Sequence, residues 1–406
     1  MRGRILAGPG DRRSRSALVY SRAMIGAGAG FSALLDGAAA GGDAASRALA
    51  GAGLGRAEAA LLFATPRAAQ DLDRLLGAAS EVLGTDAVAG CTARGVLAGA
   101  SDAEDEAAVA VLALAGLEAE AFLIPDLRGR EAGAGAEILA RIGGRASPRD
   151  LVILFPDPTA LALRPLLASL AEPLGAALVV GAGAAAGAGG GSLQWRGPKL
   201  ASGALAGIAL RGANEPGLRV TQACRPVTGL LAVTRASGHW IESLDGRPAL
   251  EVYREAARGP LAADLRRASS FLMVALPAPG EDSLARGRYR VRNVVGFAEP
   301  RGAFAVPEPV GRGQEIAFVL RDPEGARDDL RAMSESLRGA SPSAALYLGC
   351  CGRGRSLFGV AGLEAGYLAG ALPAAALAGM QGPCQIAPLG GRPELLTYAG
   401  VLALVS

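Results

Sequence analysis

The chain repeats one coarse pattern three times: an apolar run, a loop, a helical segment and a second apolar run that ends in a glycine-containing loop. The copies occupy residues 59–91, 150–183 and 344–380. Runs of this length are typical of buried strands, and their alternation with helical segments indicates an α/β or α+β class. We therefore expect a mixed α/β fold of two pseudo-symmetric halves, each with mixed sheets flanked by helices, and a cleft between the halves.

The length of 406 residues favours two domains, and the boundary is expected near residue 212. Residues 1–23 carry arginines at positions 2, 4, 12, 13, 15 and 22 without a long apolar run behind them, which is a poor secretory signal. We expect this segment to be a flexible basic tail. The alternative is that Met24 is the true start of the protein.

Charge and cysteine content exclude several classes of protein. The net charge is only +3, and basic and acidic side chains are interleaved, so nucleic-acid binding is not expected. No uncharged stretch has the large apolar side chains of a bilayer-spanning helix, so no membrane partner is expected. Five cysteines do not form a disulfide framework, which favours a reducing, cytoplasmic location.

Cofactor and metal signatures are weak. His239 is the only histidine, which argues against a multi-histidine metal site. Gly181–Gly183 follows a predicted strand but lacks the helix and the acidic residue of a dinucleotide-binding turn. We therefore predict no cofactor and no metal. An acidic segment is interpreted as a solvated turn rather than a cation site; its residues are Asp102, Glu104, Asp105 and Glu106.

The strongest candidate site follows the apolar run at residues 344–348. A cysteine pair, Cys350 and Cys351, is flanked by glycines and leads into Arg353, which lies between Gly352 and Gly354. Glycines let the backbone approach a ligand closely, and a guanidinium group suits bidentate recognition of a carboxylate. A second loop, at residues 380–388, follows the neighbouring strand, so the two loops predict a small-molecule pocket.

These motifs resemble those of the FIST family. Residues 88–96, with Cys91, Thr92 and Arg94, are similar to its Gly-Cys-Ser-Thr-Ala-Gly-Glu-Ile loop. In the second half, residues 244–250 resemble a Leu-Asp-Gly-x-Pro-Ala turn, residues 291–296 an Arg-Asn strand motif, and residues 350–354 a Cys-x-Gly-Arg-Gly loop. The resemblance implies a FIST N-terminal domain at 24–212 and a FIST C-terminal domain at 213–406.

The chain also departs from the family pattern. The glutamate of each Gly-Glu-Ile loop is missing, because the sequence reads Arg94-Gly95-Val96 in the first half and Cys384-Gln385-Ile386 in the second. If those acids bind the ammonium group of a ligand in relatives, we expect this protein to prefer another ligand or to bind none. The predicted ligand-binding residues are Cys91, Thr92, Arg94, Asp245, Arg292, Asn293, Cys350, Gly352, Arg353, Gly354, Glu364, Cys384 and Gln385.

The resemblance implies a stand-alone sensory module for signal transduction. We expect it to bind a small molecule such as an amino acid or similar carboxylate, to act through a separate signalling protein, and not to be an enzyme. Arg353 would anchor the carboxylate, and Asp245 and Arg292 would brace the walls of the cleft. Two alternatives stay open: a thiol-dependent enzyme that uses Cys350, and an interaction scaffold with a vestigial cleft.

Overall fold

A computed structural model describes residues 25–406 except 188–189, 213, 258 and 281–282. The predicted basic tail at residues 1–23 lies outside this range. The first structural unit runs from residue 26 to residue 115. Its elements are β1 (Gly26–Ser32), α1 (Gly37–Ala52), β2 (Ala59–Ala64), α2 (Leu72–Leu83), β3 (Val88–Thr92), β4 (Gly95–Ala98), β5 (Ser101–Glu104) and β6 (Val109–Ala115).

The second unit, residues 118–211, repeats the same order of elements. They are β7 (Glu118–Ile124), α3 (Ala134–Arg141), β8 (Asp150–Pro156), α4 (Leu163–Leu170), β9 (Leu178–Ala182), β10 (Leu193–Arg196), β11 (Lys199–Ser202) and β12 (Leu205–Arg211). Both units therefore read strand, helix, strand, helix, strand, hairpin, strand.

The third unit opens with β13 (Gly217–Gln222) and is then interrupted by an inserted segment that builds a sheet of its own. The elements of this insertion are β14 (Cys224–Pro226), β15 (Leu231–Ser237), β16 (Trp240–Leu244), β17 (Arg247–Pro248), α5 (Ala249–Ala257), α6 (Gly259–Ala263), α7 (Leu265–Ala268), β18 (Leu272–Pro277), β19 (Tyr289–Arg292), β20 (Gly296–Ala298), β21 (Ala303–Ala305) and β22 (Glu315–Arg321).

After the insertion the third unit resumes and completes the order of the first two, with one extra short helix. Its elements are α8 (Pro323–Ser336), β23 (Ala344–Cys350), α9 (Gly354–Phe358), α10 (Leu363–Ala371), β24 (Ala376–Gly382), β25 (Gln385–Leu389), β26 (Arg392–Leu396) and β27 (Ala399–Val405). The mixed α/β class predicted from the sequence is confirmed, and the repeating unit is one sheet with its helices.

The strand order is the same in all three sheets. It is β1-β6-β2-β3-β10-β11 in the first, β7-β12-β8-β9-β25-β26 in the second and β13-β27-β23-β24-β4-β5 in the third. In each of the three sequence copies, the two strands on either side of the helical segment are parallel neighbours: β2 with β3, β8 with β9 and β23 with β24. The other neighbouring strands in these sheets are antiparallel. The threefold recurrence in the sequence therefore corresponds to three β–α–β crossovers.

Each unit gives its hairpin to another sheet. The β4–β5 hairpin follows β3 in the chain but pairs with β24, β10–β11 follows β9 but pairs with β3, and β25–β26 follows β24 but pairs with β9. The expected domain boundary near residue 212 lies between the second and third units, and two of the exchanged hairpins, β4–β5 and β25–β26, cross it. The three units are thus tied together by backbone hydrogen bonds.

The inner faces of the three sheets share one apolar core. Phe63 of the first sheet and Phe155 of the second meet edge to face, with ring centroids 5.3 Å apart, and Leu348 of the third belongs to the same cluster. Helices cover the outer faces: α1 and α2, α3 and α4, and α8 and α10 pack on the first, second and third sheet respectively. Every strand at the centre of these sheets is therefore buried on both faces.

Helix α1 approaches strand β1 unusually closely because the strand offers glycines instead of larger residues. A Cβ atom on Gly28 would lie 2.0 Å from the carbonyl oxygen of Ala48, and one on Gly30 would lie 1.9 Å from that of Ala44. These are distances at which no side chain fits. Small residues therefore set the spacing between this helix and its sheet.

Candidate functional site

A pocket of about 400 Å³ lies where the carboxyl ends of strands from the first and third sheets meet. Strand β2 pairs in parallel with β3, and Ala64 lies opposite Thr92 at their carboxyl ends. Strand β23 pairs in parallel with β24, and Cys350 lies opposite Gly382. The loops that follow these strands therefore leave the sheets on one side. The pocket is lined by Arg67, Arg94, Glu104, Asp105, Glu106, Cys351, Arg355, Ser356 and Gln381.

Both signs of charge face this pocket. Arg94 is paired with Asp105 through contacts of 2.9 and 3.0 Å. Arg67 and Arg355 are exposed, and neither guanidinium has an ion-pair partner among the residues that the structure describes. The pocket can therefore offer two guanidinium groups without an ion-pair contact to an anionic group of a ligand, beside the carboxylate of Glu104; the charge of Arg355 also acts on Asp102 and opposes the rise of its pKa.

The acidic segment does not form the solvated turn that the sequence suggested. Glu104 ends strand β5, and both of its carboxylate oxygens accept a hydrogen bond from the backbone N–H of Arg355 at 3.1 Å. Asp102 accepts one from the backbone N–H of Gly362 at 2.9 Å. The turn interpretation is wrong for these two residues, because the partners of their carboxylates come from a distant part of the chain.

Burial raises the pKa of both carboxyl groups. For Glu104, the hydrogen bonds from Arg355 and from the Gln381 amide oppose the effect of burial but do not cancel it. For Asp102, the hydrogen bond from Gly362 acts in the same opposing way. Both acids therefore stand in an environment that favours their neutral form more than water does, and Glu104 lines the pocket.

Arg353 lies in the wall behind the pocket and is completely buried. Its Nε donates to Glu364 at 2.6 Å, and the hydroxyl of Tyr347 donates to the same carboxylate oxygen. Burial acts to lower the pKa of Arg353, but Glu364, with smaller contributions from Tyr347 and Cys350, more than offsets it, so the pKa is above its usual value. The guanidinium also lies over the ring of Phe358, 5.7 Å from its centroid.

Arg353 and Glu364 were both predicted to bind a ligand. The structure brings them together, but they form an ion pair with each other. One nitrogen of Arg353, Nη2, and one oxygen of Glu364, Oε2, have no hydrogen-bond partner in the described structure. Gly352 and Gly354 shape the same loop. A Cβ on Gly352 would lie 3.0 Å from the ring of Tyr398, and one on Gly354, at φ +54°, would lie 2.3 Å from Glu104.

The cysteine pair has one buried and one partly exposed thiol. Cys350 is 3% exposed at the end of β23, whereas Cys351 lines the pocket. The Cys351 thiol hydrogen-bonds to the sulfur of Cys350 and, with backbone N–H groups of Gly352 and Tyr398, lowers the pKa of Cys350 to about 7 against the effect of burial. The same hydrogen bond, together with burial, raises the pKa of Cys351.

Other predicted residues of the scaffold support the loops from behind. Burial raises the pKa of Cys91 well above its usual value and that of Cys384 to about 12. Thr92 is buried, and its hydroxyl donates to the carbonyl oxygen of Ala185 at 2.7 Å. Gln385 is buried as well, and its amide donates to the carbonyl oxygen of Gly349 at 2.9 Å. None of these four side chains lines the pocket.

The remaining predicted residues belong to the insertion. Asp245 is exposed in the turn between β16 and β17, where it accepts a hydrogen bond from the backbone N–H of Ala232. Arg292 is buried against Glu308. Asn293 is exposed and accepts a hydrogen bond from the hydroxyl of Tyr398 at 3.1 Å, so it reaches the cysteine loop indirectly. None of the three lines the pocket.

Sequence reasoning missed several of the residues that do line it. Glu104, Asp105 and Glu106 were noticed only as a charge run, although they follow the Cys91–Val96 loop closely in the chain. Arg355 stands two residues after Arg353, and the repeated Gly-Arg pattern could have suggested it. Arg67 and Gln381 carried no signal beyond their position after predicted strands.

Other cavities have different locations. One of about 1490 Å³ opens between the inserted sheet and the β25–β26 hairpin and contains none of the predicted site residues. In the part of the chain that the structure describes, no group of three or more His, Cys, Asp or Glu residues is arranged to hold a metal ion. Likewise, no helix within the described ranges is long and apolar enough to cross a bilayer.

Comparison with known proteins gives a consistent family match. The FIST N domain model matches residues 58–247, and the FIST C domain model matches residues 249–387. An uncharacterized protein of Mycobacterium bovis is 32% identical over 354 residues, which are 84% of this chain and 87% of that protein. An uncharacterized protein of Mycobacterium tuberculosis is 31% identical over 340 residues, 81% of this chain and 86% of that protein.

Among solved structures, the chain resembles a cyanuric acid hydrolase from A. caulinodans only distantly. The two share 9% sequence identity with a TM-score of 0.27, over 47% of this chain and 72% of that one. A likeness this low carries no argument about fold or activity.

Proposed function

Because this chain belongs to the FIST family, we propose that it is a sensor that binds a small carboxylate-bearing molecule and signals through a separate protein. FIST domains are generally regarded as sensory modules for small ligands in signalling. The proposal adds a ligand class, an amino acid or a similar small carboxylate, and a location for it in the pocket beside Cys351.

One observation carries the proposal: the pocket presents two unpaired guanidinium groups and a cluster of carboxylates across a short space. Arg67 and Arg355 suit a carboxylate group, and Glu104 and Glu106 suit an ammonium group. These acids stand in for the glutamates that the Arg94-Gly95 and Cys384-Gln385 loops lack. In this proposal the anchoring role predicted for Arg353 passes to Arg355, because Arg353 is buried and already holds Glu364.

The output of the sensor follows from how the pocket is built. Its walls come from the β4–β5 hairpin of the first unit and from the loop between β23 and α10 of the third. A ligand that contacts both would change the free energy of their association. A partner protein that recognises the surface around this loop would then detect the bound state.

A thermal-shift screen of the purified protein against amino acids, small organic acids and nucleotides tests the proposal. A ligand that binds only the native state raises the apparent melting temperature by mass action. We expect a shift with one carboxylate-bearing class, which Arg355→Ala abolishes and Arg196→Ala leaves intact. Arg196 is an exposed arginine that lines none of the cavities described above. No shift across the panel would refute the sensor and favour a scaffold with a vestigial cleft.

A thiol-dependent enzyme is the second candidate, and the environment of Cys350 favours it. A neighbouring thiol and backbone N–H groups lower the pKa of Cys350, which is the arrangement that activates a nucleophile. If Cys350 were the nucleophile, an electrophilic substrate would have to reach it past Cys351. Covalent labelling by thioester or aldehyde probes that Cys350→Ser removes would support this candidate, and labelling confined to Cys351 would count against it.

A further inference from the structure

A cavity of about 210 Å³ lies where helix α4, strand β26 and strand β19 of the insertion meet. It is separate from the pocket beside Cys351 and shares no lining residue with it. Four arginines and two glutamates face this cavity, so its lining carries a surplus of positive charge. They are Arg164, Arg290, Arg292, Arg392, Glu308 and Glu394.

The two glutamates are already used by two of the arginines. Glu308 contacts Arg292 at 2.9 Å and Arg290 at 3.1 Å, and Glu394 contacts Arg290 at 2.7 Å. Arg164 and Arg392 have no acidic partner among the residues that the structure describes. Each unpaired guanidinium can still donate two parallel hydrogen bonds to a planar or tetrahedral anion.

The two paired arginines are less exposed than Arg164 and Arg392. Arg292 is 6% exposed, and burial lowers its pKa although Glu308 opposes this. The Nε atom of Arg290 is buried and has no hydrogen-bond partner in the described structure. Glu308 and Glu394 balance the charges of Arg290 and Arg292, so the charges left for a bound anion are those of the exposed Arg164 and Arg392.

We propose that this cavity is a binding site for a small dianion, such as a phosphate group or a dicarboxylate, held by Arg164 and Arg392 over the Arg290–Glu308–Arg292 network. The surplus of two positive charges matches the charge of such a ligand. Its small volume excludes a large organic body. Since the arginines come from the second unit, the β25–β26 hairpin and the insertion, the dianion fixes the insertion against the scaffold.

Isothermal titration of the full-length protein with inorganic phosphate and with succinate, at constant ionic strength, tests the site. We expect saturable binding of at least one of them, weakened by about a hundredfold in Arg164→Ala/Arg392→Ala, because each of the two lost charge-assisted contacts is worth roughly tenfold. Both side chains are exposed, so the double variant should fold normally. Tighter binding of phosphate would indicate a phosphate ligand, and tighter binding of succinate a dicarboxylate.

The matched control is Arg145→Ala/Arg149→Ala, which removes the same charge from two exposed arginines that face no described cavity. It should bind the dianion as the wild type does. Equal weakening in both double variants would mean that only net charge matters and would overturn the site. The absence of binding by both dianions at millimolar concentrations would overturn it as well.

Discussion

Both carboxylate oxygens of Glu104 accept a hydrogen bond from the backbone N–H of Arg355, 251 residues later in the chain, at 3.1 Å each. Glu104 therefore acts as the cap of helix α9 from outside the helix, and it fixes the loop that carries Cys351 and Arg355. The contact is the direct link between the β4–β5 hairpin and the ligand pocket proposed above.

We predict that Glu104→Ala lowers the free energy of unfolding by about 1 kcal/mol, the usual cost of losing a helix cap. The reason is that the backbone N–H of Arg355 loses the acceptor that Glu104 supplies at the start of helix α9. Chemical denaturation measures the change. Glu106→Ala removes an exposed carboxylate from the same segment and is the control, which should differ little from the wild type. Equal effects of both substitutions would contradict the capping role.

Glu104→Gln should reveal the cost of burying the charge. The pKa of Glu104 is raised above its value of 4.5 in the unfolded chain, so between these values the native state binds more protons than the unfolded state. The free energy of unfolding of the wild type therefore falls as pH rises through this window. The Gln variant has no carboxyl group at this position and therefore lacks this pH dependence. The free energy of unfolding of the wild type minus that of the variant should decrease as pH rises. A difference that stays flat or increases with pH would contradict the raised pKa of Glu104.

The sequence allowed the three β–α–β crossovers to be predicted because their signals are local. An apolar run, a helical period and a second apolar run lie within about forty residues in all three copies, and the parallel pairing follows from the crossover. The exchanged hairpins could not be predicted in this way. Strand β10 has four residues, and the strand it pairs with, β3, lies about a hundred residues earlier.

Site residues were predictable where a motif singled them out, and their pairing was not. Arg353 and Glu364 were both selected from motif positions, but the burial that makes them partners depends on Tyr347 and Phe358 closing around them. The carboxylates of Asp102 and Glu104 looked solvated because their backbone partners lie about 250 residues away. Local sequence carries no information about such contacts.

Arg353→Ala should destabilise the protein strongly even without any ligand, by about 3–5 kcal/mol, because it leaves the Glu364 carboxylate buried without its charge partner. Urea denaturation measures the loss. Arg355→Ala, two residues away and exposed, should leave the free energy of unfolding nearly unchanged while it weakens ligand binding. A stable Arg353→Ala protein that has lost only ligand affinity would instead establish Arg353 as the direct anchor.

The rate of Cys350 alkylation by iodoacetamide should rise with pH around a midpoint of about 7, since only the thiolate reacts. Its 3% exposure slows the reaction at every pH without moving this midpoint. Cys351→Ala removes the thiol that hydrogen-bonds to Cys350, so the midpoint should move upward in that variant. Mass spectrometry of the labelled peptides separates the two sites, and a wild-type midpoint near 9 would contradict the prediction.

Substitution of two glycines tests how far small residues determine this fold. A Cβ on Gly30 would lie 1.9 Å from the carbonyl oxygen of Ala44, so Gly30→Ala must push helix α1 off its sheet. We expect a loss of about 1–3 kcal/mol or more in the free energy of unfolding, as for overpacked cores. Gly77, inside helix α2, has no atom within 4 Å of the same position. Gly77→Ala should therefore stabilise the protein by about 0.5–1 kcal/mol through helix propensity. If both variants had the same stability, the spacing of α1 and β1 would not depend on glycine.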